Sequence, residues 1–201
     1  KFKRIKLSKR LQSLYDLIEK DSSQTLYDLC CDHGDLGLRG AQDGIASTVF
    51  LIDRVPSIID ALSVRIEATD IPSGVKIFAL CEDSSQTQKT IKNSTLILAG
   101  IGEDTAISIL EQIDLCPKCH LILGVHSENF ELREYLKNKG FGLIAEKVIK
   151  DKGKLYELIK VSKCSKTPLN TVGSEQWSCD NPASIELLNK RIRYLEIKLS
   201  H

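Results

Sequence analysis

Apolar side chains recur along this chain in two alternating rhythms, one of helices and one of strands. Leu11, Leu14, Leu17 and Ile18 have the spacing of a helix with one buried stripe over residues 8–20, with Ser8 placed to cap it. After a Ser22-Ser23 break, TLYDLC from Thr25 reads as a buried strand, and the glycine-containing CDHGDLG run opens a short helix through Gln42. STVFLID is a second strand ending at Asp53. Pro56 suits the first turn of a helix that buries Ile58, Ile59, Leu62 and Ile66 and runs to about Ala68. VKIFAL and STLILAG are strands three and four, separated by the loop CEDSSQTQK, and a helix is expected from Glu103 to Leu115. CHLILGV is the fifth strand, followed by a helix from Glu128 to Lys139 that Gly140 ends.

Beyond Gly140 the rhythm changes. FGLIAEKVIK and LYELIKV flank Asp-Lys-Gly-Lys, which predicts a β-hairpin rather than a helical crossover. Residues 162–182 are rich in Ser, Thr, Asn and Pro, with Trp177 as their apolar anchor, and Ile185, Leu188, Ile192, Leu195 and Leu199 then repeat at helical spacing. Strands alternating with helices imply an α/β fold: a Rossmann-like, doubly wound, mostly parallel seven-stranded sheet with an antiparallel terminal hairpin and a C-terminal helical extension. The expected division is residues 1–162 for the sheet domain and 163–201 for a linker and last helix. In such sheets ligands sit beyond the carboxyl ends of the strands, which directs attention to the residues after 30, 53, 80 and 99.

Composition narrows the class. Of 201 residues, 42% are hydrophobic and 27% charged, as in ordinary globular domains. The net charge is only +1, so a polyanionic partner would have to be met by a local patch. The densest patch is the opening: Lys1, Lys3, Arg4, Lys6, Lys9 and Arg10. It lacks the apolar core of a signal peptide, and no run reaches the ~20 apolar residues of a membrane span, which fits a cytoplasmic protein. Seven cysteines, two of them adjacent at Cys30-Cys31, suit reduced core thiols better than a disulfide scaffold. Cys116-Pro-Lys-Cys119-His120 matches a haem-attachment pattern and half a zinc site, but no second Cys/His pair follows at zinc spacing, and the run falls where a helix-to-strand turn belongs. No metal site is expected.

The strand ends carry the chemistry. Asp28-Leu-Cys30-Cys31-Asp32-His33-Gly34 is not GxGxxG, and its acids would repel a pyrophosphate while suiting the cationic sulfonium and ammonium of S-adenosylmethionine (SAM). Asp32 alone could equally be a helix cap. Asp53 ends strand two, where a carboxylate accepts the ribose hydroxyls of an adenosine-containing ligand. Glu82 and Asp83 follow strand three, where a side chain can meet an adenine amine, and Ala99-Gly100-Ile101-Gly102 ends strand four with glycines that permit close approach.

With KLSKRLQ at 6–12, the D-x-x-x-D-H-G run at 28–34, Asp53, AGIGED at 99–104, LREYL at 132–136 and EKVIKDKGKLYELI at 146–159, the chain resembles the bacterial tRNA (adenine-22-N1)-methyltransferases. That resemblance implies a SAM-dependent enzyme acting on tRNA. It implies that Asp28, Cys30, Cys31, Asp32, His33, Gly34, Asp53 and Arg54 line the SAM pocket, together with Glu82, Asp83, Ala99, Gly100, Ile101 and Gly102. The chain departs from the family pattern at Cys30 in place of glycine, at Glu103 in place of the second glycine, and at Gly124-Val125-His126 in place of Gln-Pro-Asn. Its last helix is also shorter than in members with an extended coiled coil.

Adenine N1 has an in-plane lone pair, so methylation needs alignment and stabilisation of the incoming positive charge rather than a strong base. Asp32 is the candidate for that electrostatic role or for taking an N6 proton, with His33 beside it for positioning. Lys6, Lys9 and Arg10, backed by Lys190, Arg191 and Arg193 of the last helix, are the candidate RNA contacts, against the alternative of a solvated tail. Two other readings stand beside this one: a non-catalytic RNA-binding or adaptor protein on the same fold, and a nicotinamide-dependent oxidoreductase, which the missing GxGxxG disfavours.

Overall fold

The computed structural model describes residues 4–21, 24–86, 88–126 and 128–200. Lys1 and Lys3 of the basic opening, and the Ser22-Ser23 break, lie outside them. Helix α1 (Lys9–Tyr15) begins where Ser8 accepts the Leu11 N–H, as the capping rule anticipates, but it ends before Leu17 and Ile18, which follow in turns. The elements after it are β1 (Thr25–Leu29), α2 (Asp35–Gln42), β2 (Thr48–Asp53), α3 (Pro56–Glu67), β3 (Lys76–Cys81), β4 (Lys89–Ile91), β5 (Ser94–Ala99) and α4 (Glu103–Glu111). The chain continues with β6 (Ile113–Leu115), β7 (His120–Gly124), α5 (Phe130–Asn138), β8 (Gly142–Asp151), β9 (Lys154–Ser162) and α6 (Pro182–Leu199).

Seven strands form one sheet in the order β3-β2-β1-β5-β7-β9-β8. The pairs from β3 to β7 are parallel, while β9 runs antiparallel to both β7 and β8. The hairpin therefore threads its second strand inside the sheet and leaves β8 at the edge. Its turn is the expected one, with Lys152 and Gly153 both at positive φ. Side chains of successive residues point to opposite faces, and the strands use both. Leu96, Leu98, Leu121 and Leu123 pack with Ala106, Ile109, Leu132 and Leu136 of α4 and α5. Ile97 and Ile122 pack on the other side with Leu14, Leu36, Leu38 and Leu62 of α1, α2 and α3.

Two expectations need correction. The helix predicted through Leu115 stops at Glu111, because Ile113 and Leu115 are buried around an exposed Asp114 in a two-residue period and pair with β4 in a separate two-stranded sheet. The apolar repeat of α6 is helical, but Ile185, Leu188, Ile192, Leu195 and Leu199 are exposed. The helix docks instead through Ala183, Ser184, Leu187 and Arg191, a stripe displaced by one residue and so by about 100° around the axis.

Arg191 is the reason. It is 3% exposed, donates to Glu157 and to the Glu128 carbonyl, and lies over the rings of Phe130 (5.1 Å) and Trp177 (5.4 Å). Glu157 also accepts from Arg133 Nε at 2.7 Å, and Arg133 Nη2 donates to Glu146 at 2.6 Å. Ser174 and Gln176 add their backbone N–H groups to Glu146, which ties the irregular segment to the hairpin. Burial alone would raise the Glu146 carboxyl, but Arg133 and these N–H donors outweigh it and hold it below the ordinary carboxylate range.

Candidate active site

The turn after β1 is built on three left-handed residues, Cys30, Asp32 and Gly34, two of them carrying side chains. Several contacts hold it there. The Asp32 N–H donates to Asp53 Oδ2 at 3.2 Å, and the Gly34 N–H donates to the Cys31 carbonyl at 2.8 Å. Arg65 of α3 pairs with Asp35 at 2.6 Å and also donates to the His33 carbonyl. Gly37 lets α2 approach β1: a Cβ there would lie 2.2 Å from Leu51, and its N–H donates to Asp28 Oδ2 at 2.9 Å. Burial pushes the Asp28 carboxyl up to about 7, against the pull of that hydrogen bond and with the charges of Asp35 and Asp53 adding to the rise.

Two cavities open beyond the strand ends and meet at Cys30. The first, about 420 Å³, is walled by Ile52, Ile58, Ile101 and Ile109 and rimmed by Asp53, Arg54, Glu82 and Asp83. Asp53 is 8% exposed, and its Oδ1 accepts the Val55 N–H at 3.1 Å. Its carboxylate is thus held by the two turns it joins and keeps lone pairs for a ligand. Glu82 is ion-paired with Lys89, and Asp83 accepts from the Ser85 N–H (3.0 Å) and hydroxyl (2.6 Å), which hold its carboxyl below the usual range. An apolar slot with a carboxylate at its edge suits a nucleoside.

The second cavity, about 330 Å³, is lined by Asp28, Cys31, Asp32, His33, Gly34, Ala99, Gly100, Arg10 and His126. Arg10 Nη1 is buried there without a hydrogen-bond partner among the described residues, and a Cβ on Gly100 would lie 3.5 Å from it. Three acids, Asp28, Asp32 and Asp35, and the guanidinium of Arg10 in a single cavity complement a zwitterion: carboxylates for an ammonium and a sulfonium, and the guanidinium for a carboxylate. The joined pair therefore fits SAM at both ends. Asp32 and His33 are exposed, their side chains 3.9 Å apart, at the open side of this cavity.

The sequence-predicted pocket residues from Asp28 to Gly102 thus all fall on these two cavities. The predicted RNA contacts do not stay together. Lys6, Lys9, Lys190 and Arg193 are exposed, with Lys190 paired to Glu128 at 3.1 Å. Arg191 must be withdrawn as an RNA contact, because its guanidinium is committed inside the protein. Arg10 turns inward, its backbone N–H donating to Asp151 and its guanidinium lying 5.3 Å over Tyr156. Sequence reasoning missed His126 as a lining residue, although its place directly beyond the fifth predicted strand was a signal that could have found it. The CPKCH run is structural: Cys119 Sγ donates to the Ile91 carbonyl, Cys116 packs against the core, and His120 faces Glu19.

A doubly wound sheet with an antiparallel strand slipped in beside its edge strand, and a bipartite cleft at the carboxyl ends, is the architecture of Rossmann-like methyltransferases. Residues 7–159 match the family described as a methyltransferase domain, and the chain belongs to that family. It is similar in fold to M. capricolum TrmK, solved with S-adenosyl-homocysteine, at TM-score 0.80 and 20% identity, covering 97% of this chain and 88% of that one. It is similar also to the B. subtilis m1A22 tRNA methyltransferase TrmK, at TM-score 0.71 and 20% identity over 98% of this chain and 86% of that one. Magnesium protoporphyrin IX methyltransferase from Synechocystis shares the fold at TM-score 0.56 and 13% identity, over 76% of this chain and 80% of that one. No curated protein matches.

Proposed function

We propose that this protein is a SAM-dependent tRNA methyltransferase that transfers a methyl group to N1 of an adenine. The observation that carries the reading is the pair of cavities joined at Cys30, one suited to a nucleoside and the other to a charged amino-acid moiety, with an open side next to Asp32. The B. subtilis neighbour, an m1A22 tRNA methyltransferase, and the family-like segments KLSKRLQ and DHG support the choice of substrate. Bound SAM would supply an electrophilic methyl group on its sulfonium. Asp53 would accept the ribose hydroxyls, and Arg10 would hold the carboxylate end.

The remaining tasks fall to this chain's own residues. The Asp32 carboxylate faces the open side of the second cavity, so it stabilises positive charge arriving on the base ring and can take a proton from N6. His33 sits beside it as a positioning group. Adenine N1 is hidden in a stacked or paired nucleotide, so the base must be splayed out of the RNA to reach the cavity. Lys6, Lys9, Lys190 and Arg193 supply exposed cations for the phosphates, and Arg10 serves the cavity rather than the RNA backbone. Residues 1–162 form the catalytic unit and 163–201 an extension strapped to its hairpin edge. Among the described residues no helix is long and apolar enough to cross a membrane. A tRNA substrate implies work in the cytoplasm. The test is mass spectrometry of nucleosides from unmodified tRNA incubated with protein and SAM. The expected product is 1-methyladenosine, and its absence alongside measurable SAM binding would overturn the substrate assignment.

A further inference from the structure

His126 lines two cavities at once: the reaction cavity at the ends of β1 and β5, and an outer groove of about 590 Å³ between the hairpin turn and α6. Its backbone N–H donates to the Ile101 carbonyl at 2.8 Å, which fixes the residue against the AGIG turn. Its Nε2 would lie 3.8 Å from a Cβ on Gly100. The imidazole sits on Tyr156, with ring centroids 5.4 Å apart at 60°, and Tyr156 is itself covered by the Arg10 guanidinium. The imidazole nitrogens have no hydrogen-bond partner among the described residues, and the residue is exposed. An exposed ring, braced from behind and unpaired at its edge, on the boundary between a groove and a reaction cavity, is shaped to receive a flat group arriving from the groove.

Resting on the reading above, we infer that His126, braced by Tyr156, is the wall against which the splayed-out target purine stacks as it enters the methyl-transfer cavity. Stacking on an aromatic face holds a base without reading its sequence and is worth having where the base has left its neighbours in the RNA. The electrostatics suit the task. Partial burial of its inner face, then Arg10, then Lys154 lower the imidazole pKa, which favours the neutral ring over one that would repel a purine becoming cationic on methylation. Lys154 and Lys190 line the same groove and would meet the flanking phosphates. Both rings are positioning residues, since neither supplies a group that reacts.

The test compares His126→Ala, His126→Phe and Tyr156→Leu for SAM affinity by calorimetry and for kcat and KM toward unmodified tRNA. The expected result, with tRNA kinetics read at saturating SAM, is nearly unchanged SAM affinity in the two His126 variants, a loss of ten-fold or more in kcat/KM for His126→Ala, and recovery to within about three-fold of wild type in His126→Phe, which restores the stacking face; Tyr156→Leu also frees Arg10 and should weaken SAM as well. Tyr156→Leu should fall between. Wild-type kinetics in His126→Ala, or His126→Phe as poor as His126→Ala, overturns the wall. Failure of the wild type itself on tRNA counts against the substrate reading instead. The wall is then judged by ¹⁵N shifts of the His126 imidazole when adenosine is added to protein loaded with S-adenosyl-homocysteine; their absence overturns it.

Discussion

The two halves of the sheet treat charge in opposite ways. Where β1, β2 and β3 end, acids line the two cavities, Asp53 held by the Asp32 and Val55 N–H groups, Asp83 by Ser85 and Glu82 by Lys89. At the hairpin, Arg133, Arg191, Glu146 and Glu157 are buried and linked to one another by ion pairs, so that each charge is met from within the protein. Charge in the first half is held ready for something that arrives, and charge in the second closes the molecule on itself. The lesson is that burial of a charged residue marks neither function nor stability until its partners are counted.

The comparison is broken most severely at Arg133. Arg133→Met removes the cation beside Glu146 and one of the two on Glu157 while leaving both carboxylates buried, a loss of about 3–5 kcal/mol. Urea unfolding should give that drop, whereas SAM affinity under native conditions should stay within two-fold, because the quartet lies away from the two cavities. A similar loss of SAM affinity would mean that the halves are coupled.

Acidity separates the halves by sign. The folded Asp28 carboxyl, near 7, lies above its unfolded value of about 3.9, so its contribution is full at low pH and is lost as pH rises through 7. The Glu146 carboxyl is held down, so its contribution is present at neutral pH and is lost as pH falls below the ordinary carboxylate range. Urea midpoints between pH 4 and 8 should therefore fall less steeply with rising pH in Asp28→Asn than in wild type. An unchanged profile would mean that Asp28 is ionised throughout.

The same division decides what could be read from the sequence. The parallel half was legible because each strand is a short run of Leu, Ile and Val, each helix has its stripe, and ligands follow the strand ends. The hairpin was legible from Lys152-Gly153. What escaped was set by partners distant in sequence. Residue spacing gave α6 a clear apolar stripe, yet the docking face is chosen by Arg191 reaching Glu157, a pairing that no local pattern announces. Ile113 to Leu115 was too short for its two-residue period to compete with the helix before it. Arg10 counted as one more cation of a basic opening until its contact with Tyr156 placed it in the cavity.

Within the open half, Asp32 and Asp53 sharpen the comparison because they should affect different quantities. Asp32→Asn should lower kcat at saturating SAM by about ten- to a thousand-fold, the scale of a preorganised electrostatic group, with SAM affinity nearly unchanged. Equal losses of rate and affinity would make Asp32 a cofactor ligand instead. Asp53→Ala should weaken SAM binding about ten-fold or more in calorimetry, since charge-assisted hydrogen bonds are worth roughly 1.5–3 kcal/mol. Neither substitution should approach the instability of Arg133→Met, because Asp32 is exposed and Asp53, though buried, accepts from two backbone N–H groups and leaves no buried charge behind when replaced by alanine.

The smallest effect is expected from charges that belong to neither arrangement. Lys6 and Lys9 are exposed around the start of α1, while Ile5 and Leu11 pack against the core on either side of them, so the two cations are carried on a pinned segment. Reversing both to Glu leaves the cavities and the buried quartet untouched, and neither SAM affinity nor the urea midpoint should move. If RNA phosphates rest on this segment, tRNA binding should weaken several-fold at physiological salt, and the slope of log affinity against log salt should flatten by about one for every phosphate that no longer meets a cation. The slope is the more telling readout, because it counts released counterions, whereas a change in affinity alone could come from a shifted helix. If slope and affinity both match wild type, the RNA approaches by the groove between the hairpin and α6, where Lys154 and Lys190 supply the cations.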